Sequence, residues 1–342
     1  MEKQLPQIIT QIKENLHTCW QKELANVVTD PKHLLEMLHI NANAYQQHFN
    51  ARQLFPVRVP IPFIQRMKKG NFNDPLLQQV MPLADEFLTV DGFSPDPLAE
   101  HDTAATGLLH KYKHRVLMMV KTGCAVNCRY CFRRHFPYQD NSPSKQNWQE
   151  ALNYIRKHTE INEVIFSGGD PLMAKDDHLA WLIEQLEQIP HLRRLRIHSR
   201  LPVVIPSRIT KQLVAILKNS CLKSVVVLHI NHANEIDDDL VSAIALLKQA
   251  YIPLFNQSVL LKGINDNVDA LGELSEKSFD CGIQPYYLYL LDKVQGAAHF
   301  EVEEQQAIAI YKALLARLPG FLMPKLVREI AGEANKTTIS LA

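Results

Sequence analysis

Three cysteines lie close together before the middle of the chain. Cys124, Cys128 and Cys131 bound the segment CAVNCRYC, which places three thiols within eight residues. Thiolates are soft ligands that suit iron–sulfur clusters, zinc or copper(I). A four-iron cluster usually takes four cysteines, so three would leave one iron open to another ligand, as a cluster that does chemistry needs. The segment therefore predicts a metal centre.

Two other interpretations of these thiols stay open. Structural zinc needs four ligands; the chain has no second cysteine pair, but His135 is near enough in sequence to be the fourth ligand. Three unrelated buried thiols are the other possibility. Six cysteines among 342 residues are too few for a disulfide scaffold, and a reducing compartment favours metal-binding or catalytic thiols. The close spacing favours the cluster.

The composition excludes several classes of protein. The chain is 46% hydrophobic and 21% charged, which excludes disordered and collagen-like chains. A formal net charge of +1 gives no strong field toward nucleic acid or an anionic membrane. No apolar run is long enough to cross a membrane, and the first residues lack the apolar core of a signal peptide. We therefore expect a cytoplasmic protein.

Six β-branched or aliphatic runs are the elements that must position the cysteines, and each precedes a segment of helical character. The runs are Arg115–Val120, Glu163–Phe166, Leu192–Ile197, Ser224–Leu228, Pro253–Leu260 and Pro285–Leu290. The helical segments are Trp148–Lys157, His178–Gln188, Thr210–Lys218, Asp238–Gln249, Val268–Phe279 and Glu303–Leu315. After the first, the runs start about 30 residues apart, which is the length of one βα unit.

Six βα units predict a parallel sheet with helices outside it. Eight units would close a full barrel, so six suggest a partial one, but the residues alone do not separate a partial barrel from a doubly wound sheet. In both folds ligands bind at the C-terminal ends of the strands. The cysteines lie in the long loop after the first strand, so the metal centre is predicted at that edge.

The arrangement resembles the radical S-adenosylmethionine (SAM) superfamily. A CX3CX2C motif at the end of the first strand is similar to that family's cluster loop, which binds a [4Fe–4S] cluster while the amino and carboxylate groups of SAM chelate the fourth iron. Ser167, Gly168, Gly169 and Asp170 resemble its glycine-rich turn, which receives the methionine amino group. Judged locally, a glycine pair between strand and helix is ordinary turn chemistry.

Further motifs resemble the lysine 2,3-aminomutases, in particular the shorter branch that supplies β-lysine for modifying elongation factor P. They are CRYCFRR at 128–134, NQSVLL at 256–261, PYYLY at 285–289 and GEANKT at 332–337, with HFPY at 135–138 and LDKVQGAAHF at 291–300 matching the branch. The resemblance implies an isomerase that converts L-α-lysine to β-lysine. Its implied partners are a one-electron reductant, elongation factor P and the lysine ligase of that pathway.

The resemblance also implies a fold and a division of the chain. The fold is an α/β partial (β/α)6 barrel of the radical SAM type with a helical N-terminal extension and a short C-terminal cofactor-binding segment. We expect a helical and extended region at 1–105, which includes the proline-rich stretch 56–97, a core at 106–320 and a C-terminal segment at 321–342.

A second cofactor, pyridoxal 5′-phosphate (PLP), follows from the resemblance. Lys336 would hold PLP as a Schiff base, and Arg115 and Tyr112 match residues near that cofactor. Judged locally, Lys336 is a solvated lysine of a polar tail. The segment before it, AGEAN, has fewer glycines than its counterpart in the family, which leaves the backbone less permissive.

Three charged residues match substrate contacts of the family. Arg133 matches the arginine that binds the substrate carboxylate, a role that its planar fork suits. Asp292 matches a carboxylate that holds a substrate ammonium. Glu329 stands where related aminomutases have an aspartate, so its charge is kept and its reach is changed. The local interpretation of each is a surface ion pair.

The chemistry implied by the resemblance is a radical rearrangement. No side-chain base removes a hydrogen from unactivated C3 of lysine at ordinary pKa values. The resemblance implies that a 5′-deoxyadenosyl radical does so, and that this radical forms when the reduced cluster gives one electron to SAM. One alternative is a radical SAM aminomutase for glutamate or arginine, although Asp292 and Glu329 favour a cationic side chain. Another is a non-catalytic metal- or RNA-binding regulator that uses the basic cluster Arg129, Arg134 and His135.

Overall fold

The structure, a computed structural model, describes residues 20–101, 103–141 and 143–341. Residues 1–19 of the predicted N-terminal region lie outside the described residues. Nine strands form one sheet. They are β1 (Leu108–Tyr112), β2 (Arg115–Lys121), β3 (Glu163–Gly168), β4 (Arg194–Ser199), β5 (Lys223–His229), β6 (Leu254–Val259), β7 (Gln284–Tyr289), β8 (Lys325–Arg328) and β9 (Thr337–Thr338).

The strand order decides between the two folds that the sequence left open. The sheet runs in chain order from β1 to β9, with β2 to β8 parallel and the two edge strands antiparallel. A doubly wound sheet reverses its order at a switch point, and this sheet does not. The sheet is therefore an α/β barrel that stays open between β1 and β9, which confirms the predicted partial barrel.

In the described part of the chain four short helices precede β1, and seven further helices connect the parallel strands from β2 to β8. They are α1 (Trp20–Ala25), α2 (Pro31–Met37), α3 (Ile61–Ile64), α4 (Pro75–Gln78), α5 (Lys145–Lys157), α6 (Asp176–Glu187), α7 (Leu201–Val204), α8 (Lys211–Asn219), α9 (Asp238–Gln249), α10 (Val268–Asp280) and α11 (Glu304–Arg317). Short 3-10 segments lie at Ala42–Gln53, Ala84–Phe87, Pro171–Met173, Pro206–Arg208, Ala233–Glu235, Ala298–Phe300 and Gly320–Leu322. No helix in the described part of the chain has the length and apolar character that a membrane crossing requires.

Side-chain caps explain why four of the long helices begin where they do. Ser144, Thr210, Asp237 and Asn267 precede α5, α8, α9 and α10, and each accepts a hydrogen bond from a backbone amide of the first turn. Such a cap is worth about 1 kcal/mol. All six predicted strands and all six predicted helices are present, with ends that differ by a few residues.

The N-terminal region packs on the barrel. Leu34 and Phe63 are fully buried in the same apolar core as Val116 of β2 and Phe166 of β3. At the other end of the chain, β8 pairs with β7, so the C-terminal segment continues the sheet. The strands β1, β8 and β9 were not predicted, because they are too short or too polar to show a periodic pattern. The division at residues 105 and 320 stays a prediction.

Candidate active site

A cavity of about 290 Å³ lies against the inner face of the open barrel. Alternate residues of the strands point into it, as the two-residue period of a strand requires. All thirteen site residues that we predicted line this cavity, namely Tyr112, Arg115, Cys124, Cys128, Cys131, Arg133, Ser167, Gly168, Gly169, Asp170, Asp292, Glu329 and Lys336. The structure thus brings together residues that are more than two hundred positions apart in the chain.

The three cysteines lie in the long loop between β2 and α5. Burial is the main cause that raises the pKa of each thiol, to about 11 for Cys131, and neighbouring thiols add to the rise for Cys124 and Cys131. Among the described residues, no three His, Cys, Asp or Glu side chains converge as a single metal ion would need. A cluster does not need such convergence, because each thiolate binds a different iron.

Other residues of this loop do not support the alternative interpretations. The imidazole of His135 hydrogen-bonds to the backbone oxygen of Gln295 (3.1 Å), and His135 does not line the cavity, so it is not the fourth ligand of a zinc site here. The side chains of Arg129 and Arg134 are 0% exposed. The alternative interpretation, an RNA-binding surface patch built on these two arginines, is therefore wrong.

The glycine turn at the end of β3 packs against the start of the cysteine loop. A Cβ on Gly168 would lie 2.4 Å from the backbone oxygen of Lys121, and one on Gly169 would lie 2.6 Å from that of Gly123. Gly168 also has φ +115°, which favours glycine. The Gly169 amide donates to the oxygen of Lys121 (2.7 Å). The turn therefore fixes the cysteine loop, as well as lining the cavity.

Asp170 has a structural role in this arrangement. Its carboxylate accepts hydrogen bonds from the Ser199 hydroxyl (2.7 Å) and from the amides of Leu172, Arg200 and Leu201 (2.8–3.0 Å). These donors include amides at the beginning of α7 and of the segment Pro171–Met173, so Asp170 joins two short helices. Burial raises the pKa of Asp170, and these hydrogen bonds oppose the rise. Its predicted contact with a cofactor stays a prediction.

Arg133 is held by a carboxylate that the sequence did not single out. Its Nε donates to Glu100 (2.6 Å), and its Nη1 donates to the Ser167 hydroxyl (3.0 Å) and the Gly168 oxygen (3.3 Å). Lys111 also pairs with Glu100 (2.8 Å). Burial would lower the pKa of Arg133, but the charge and hydrogen bond of Glu100, with smaller contributions from Tyr138 and Cys131, together outweigh burial and raise it. The guanidinium is thus fixed between Glu100 and the glycine turn.

Lys336 and Glu329 join the two edges of the open barrel. The Nζ of Lys336 lies 2.5 Å from Glu329, and the hydroxyl of Tyr112 on β1 donates to the same carboxylate. Burial opposes ionisation of Glu329, but the charge of Lys336 and the hydrogen bonds from Lys336 and Tyr112 together outweigh burial and lower the pKa of Glu329. The rings of Tyr112, Tyr287 and Tyr289 surround Nζ, with centroids 5.1–6.0 Å away. Lys336 is therefore not a solvated tail lysine.

Asp292 follows β7 and has the most perturbed carboxyl group in the cavity wall. Burial raises its pKa to about 7, with repulsion from Glu329 and Glu100 adding to the rise, while the charges of Lys336 and Lys111 only partly oppose it. Among the described residues Asp292 forms no ion pair with a basic side chain, whereas Glu100 pairs with Lys111 and Arg133, and Glu329 pairs with Lys336. A bound ammonium group would supply the missing charge.

Polar groups on the middle strands complete the wall. His198, Arg200, His229 and Gln257 lie at or just after the ends of β4, β5 and β6 and were not predicted. Among the described residues, His198 Nε2, Gln257 Oε1 and two nitrogens of Arg200 are buried without a hydrogen-bond partner. Burial, with nearby arginines, lowers the pKa of His229 to about 3. Unpaired polar atoms of this kind fit a polar ligand. The sequence feature that could have identified these residues is a histidine at the end of a predicted strand.

An open parallel α/β barrel with a three-cysteine loop defines the class of radical SAM enzymes, and the family model for the Radical SAM superfamily matches residues 118–274. The chain is 55% identical over 323 residues to the L-lysine 2,3-aminomutase of Escherichia coli K12, covering 94% of each chain. It is 56% identical over 319 residues to that of Haemophilus influenzae Rd (93% and 94%) and 38% identical over 272 residues to that of Clostridium subterminale (78% and 64%). The chain belongs to the lysine 2,3-aminomutase family.

Membership of the superfamily implies a [4Fe–4S] cluster and SAM. The residues of the cavity fit both groups. Three thiols line one wall without converging on a single point, which suits a cluster, and the unpaired polar atoms of His198, Arg200 and Gln257 suit the polar groups of SAM.

Proposed function

We propose that the protein is a radical SAM, PLP-dependent lysine 2,3-aminomutase that converts L-α-lysine to β-lysine. One observation carries the proposal: a single cavity is lined by the three cysteines, by Lys336 and by the carboxylate of Asp292, which has no ion pair with a basic side chain in the part of the chain that the structure describes. The relatives named L-lysine 2,3-aminomutase, which match over nearly the whole chain, support the same activity.

The cofactors are assigned to residues as follows. Cys124, Cys128 and Cys131 would bind the cluster, and Lys336 would bind PLP through its amine. The cluster and SAM supply a radical that removes hydrogen from an unactivated carbon, and PLP supplies a conjugated system that holds the migrating amino group. Arg115 lies 4.1 Å over the Tyr112 ring. Because the Nζ of Lys336 lies 6.0 Å from the centroid of the same ring, this cation suits the phosphate of PLP.

The chain's own residues would orient the substrate. Arg133 is fixed by Glu100 through Nε and by the glycine turn through Nη1, so its Nη2 group is pre-oriented for a carboxylate. Asp292 would take the side-chain ammonium, because it has no ion pair among the described residues. Asp170 in the same cavity is also unpaired, but its carboxylate already accepts from the Ser199 hydroxyl and three backbone amides. Glu329 already pairs with Lys336 and accepts from Tyr112. We therefore assign Glu329 first to Lys336, and to the substrate ammonium only after that pair separates.

The cellular role is also part of the proposal. The resemblance to the short branch supports a supply of β-lysine for elongation factor P, with its lysine ligase as the next enzyme and a one-electron reductant upstream. A cytoplasmic location suits three free thiols that must stay reduced.

The test is anaerobic turnover of the reconstituted protein. Incubation with labelled L-lysine, SAM, PLP and a strong reductant, followed by chromatography, should yield β-lysine. The variant Lys336→Ala should keep its iron and sulfide but yield no β-lysine, and borohydride should no longer fix PLP to the protein. Labelled glutamate and arginine in parallel measure the alternative substrates. Turnover of either one without turnover of lysine would overturn the assignment of lysine.

A further inference from the structure

A buried carboxylate of the N-terminal region contacts the cysteine loop. Glu86 belongs to the 3-10 segment Ala84–Phe87, in which its neighbours Asp85 and Phe87 are exposed. The side chains of Glu86, Arg129 and Arg134 are all 0% exposed. A charge buried this deeply is retained only when it is paired. The three groups therefore depend on each other.

One carboxylate binds both arginines. The Oε2 atom of Glu86 accepts from Nη2 of Arg129 (2.5 Å) and from Nη2 of Arg134 (2.7 Å). Its Oε1 atom accepts from Nε of Arg129 (2.8 Å) and from the amide of Leu83 (3.0 Å). Arg129 directly follows Cys128, and Arg134 comes three residues after Cys131. Glu86 therefore holds the loop on both sides of Cys131.

The same arginines attach the loop to two other segments. Arg129 donates to the backbone oxygen of Phe55 (2.6 Å), which lies in the N-terminal region. Arg134 donates to the oxygens of Arg129 (3.1 Å) and Gly296 (3.0 Å). A Cβ on Gly296 would lie 2.9 Å from the Arg134 guanidinium, so this contact is close packed. The cysteine loop is thus joined to the segment that carries Asp292.

We propose that Glu86 is the positioning residue of the cysteine loop. It orients Arg129 and Arg134, through them fixes Cys128 and Cys131, and neutralises one of two buried positive charges beside these thiols. This inference rests on the proposed function, because it assigns the cluster to the cysteines. The remaining positive charge favours thiolates and a negatively charged cluster, whereas both arginines left unpaired would disrupt the loop.

The test compares three variants of the full chain, each reconstituted with iron and sulfide. Glu86→Gln keeps the shape and removes the charge; Glu86→Asp keeps the charge and shortens the reach; Asp85→Asn removes an exposed charge from the adjacent position. One measurement is the rate at which a chelator withdraws iron. The other is the midpoint potential of the cluster from an EPR-monitored titration.

Glu86→Gln should lose iron at least about tenfold faster than the wild type, since breaking a buried pair is strongly destabilising, and its midpoint potential should become more positive because a negative charge is gone. Glu86→Asp should lose iron faster while its potential stays near that of the wild type. Asp85→Asn should change neither measurement. A loop that merely needs packing would not separate the two measurements in this way.

Each outcome decides the inference. If Glu86→Gln matches Asp85→Asn in iron release and potential, the inference is overturned while the cluster assignment stands. If Glu86→Gln does not fold, the iron release of Glu86→Asp tests the inference instead. Release from Glu86→Asp at the wild-type rate would overturn it. A wild-type protein that takes up neither iron nor sulfide would instead overturn the proposed function.

Discussion

Replacing Asp292 by asparagine should stabilise the ligand-free protein at neutral and higher pH. Burial, with repulsion from Glu329 and Glu100, raises the pKa of Asp292 from 3.8 to about 7. The folded protein therefore holds this proton across a pH range in which the unfolded chain has lost it. Because the folded state binds the extra proton, the free energy of unfolding falls as the pH rises from about 4 to about 7. The variant Asp292→Asn has no such proton to lose.

The magnitude follows from the size of the rise. An increase from 3.8 to about 7 corresponds to roughly 4 kcal/mol above pH 7, since a tenfold change in an ionisation constant is worth about 1.4 kcal/mol. Asp292 keeps partial exposure to the cavity, and water there screens part of this effect. We therefore expect the variant to gain about 2 kcal/mol over the wild type at about pH 8.

The assay is urea denaturation of the ligand-free protein at pH values between about 5 and 8 and at constant ionic strength. The stability difference between Asp292→Asn and the wild type should grow up to about pH 7 and then level off. The exposed Asp280→Asn is the control and should stay within about 0.5 kcal/mol of the wild type. A difference that does not change with pH, or a wild type that is the more stable at about pH 8, would refute the reasoning.

The binding of lysine should depend on the charge of the same residue, Asp292. If Asp292 holds the substrate ammonium, lysine supplies the missing positive charge and releases the proton. Saturating lysine should then stabilise the wild type more than Asp292→Asn, and the apparent affinity of the wild type should increase from about pH 6 to about pH 8. Equal stabilisation of both proteins would remove Asp292 from the substrate site.

Three further predictions concern the cysteine loop. Cys128→Ala should lose the visible absorbance of the cluster and all turnover; an active variant that still carries the cluster would exclude Cys128 as a ligand. Gly169→Ala should lower the free energy of unfolding by at least about 1–3 kcal/mol in a urea titration, because its Cβ would lie 2.6 Å from backbone oxygens. The control Gly123→Ala, whose Cβ would have nothing within 4 Å, should lower it less. Burial raises the pKa of all three thiols, and cluster assembly releases their protons. Assembly should therefore be faster at about pH 8.5 than at about pH 7, and equal rates at the two pH values would contradict this.

Local patterns in the sequence determined much of this molecule. The six predicted strands and their helices are present because each depends on a periodicity that is complete within one short segment. The cysteine motif and the glycine pair are equally local, and their positions after β2 and β3 brought them to one end of the sheet. The residues for PLP and substrate, by contrast, came from a family resemblance, because Lys336 carries no local signal and Asp292 has only its position after the sixth predicted strand.

The tertiary structure alone decided the partners of the charged groups. Tyr112 and Glu329 meet across 217 positions of the chain, Arg133 meets Glu100 across 33, and Arg129 meets Glu86 across 43. No pattern within a short window predicts which distant segments will meet, and both the pKa of a carboxyl group and the direction of a guanidinium depend on that meeting. The sequence therefore determined the elements and the reactive loop, while the open barrel and its buried ion pairs determined how those groups face the cavity.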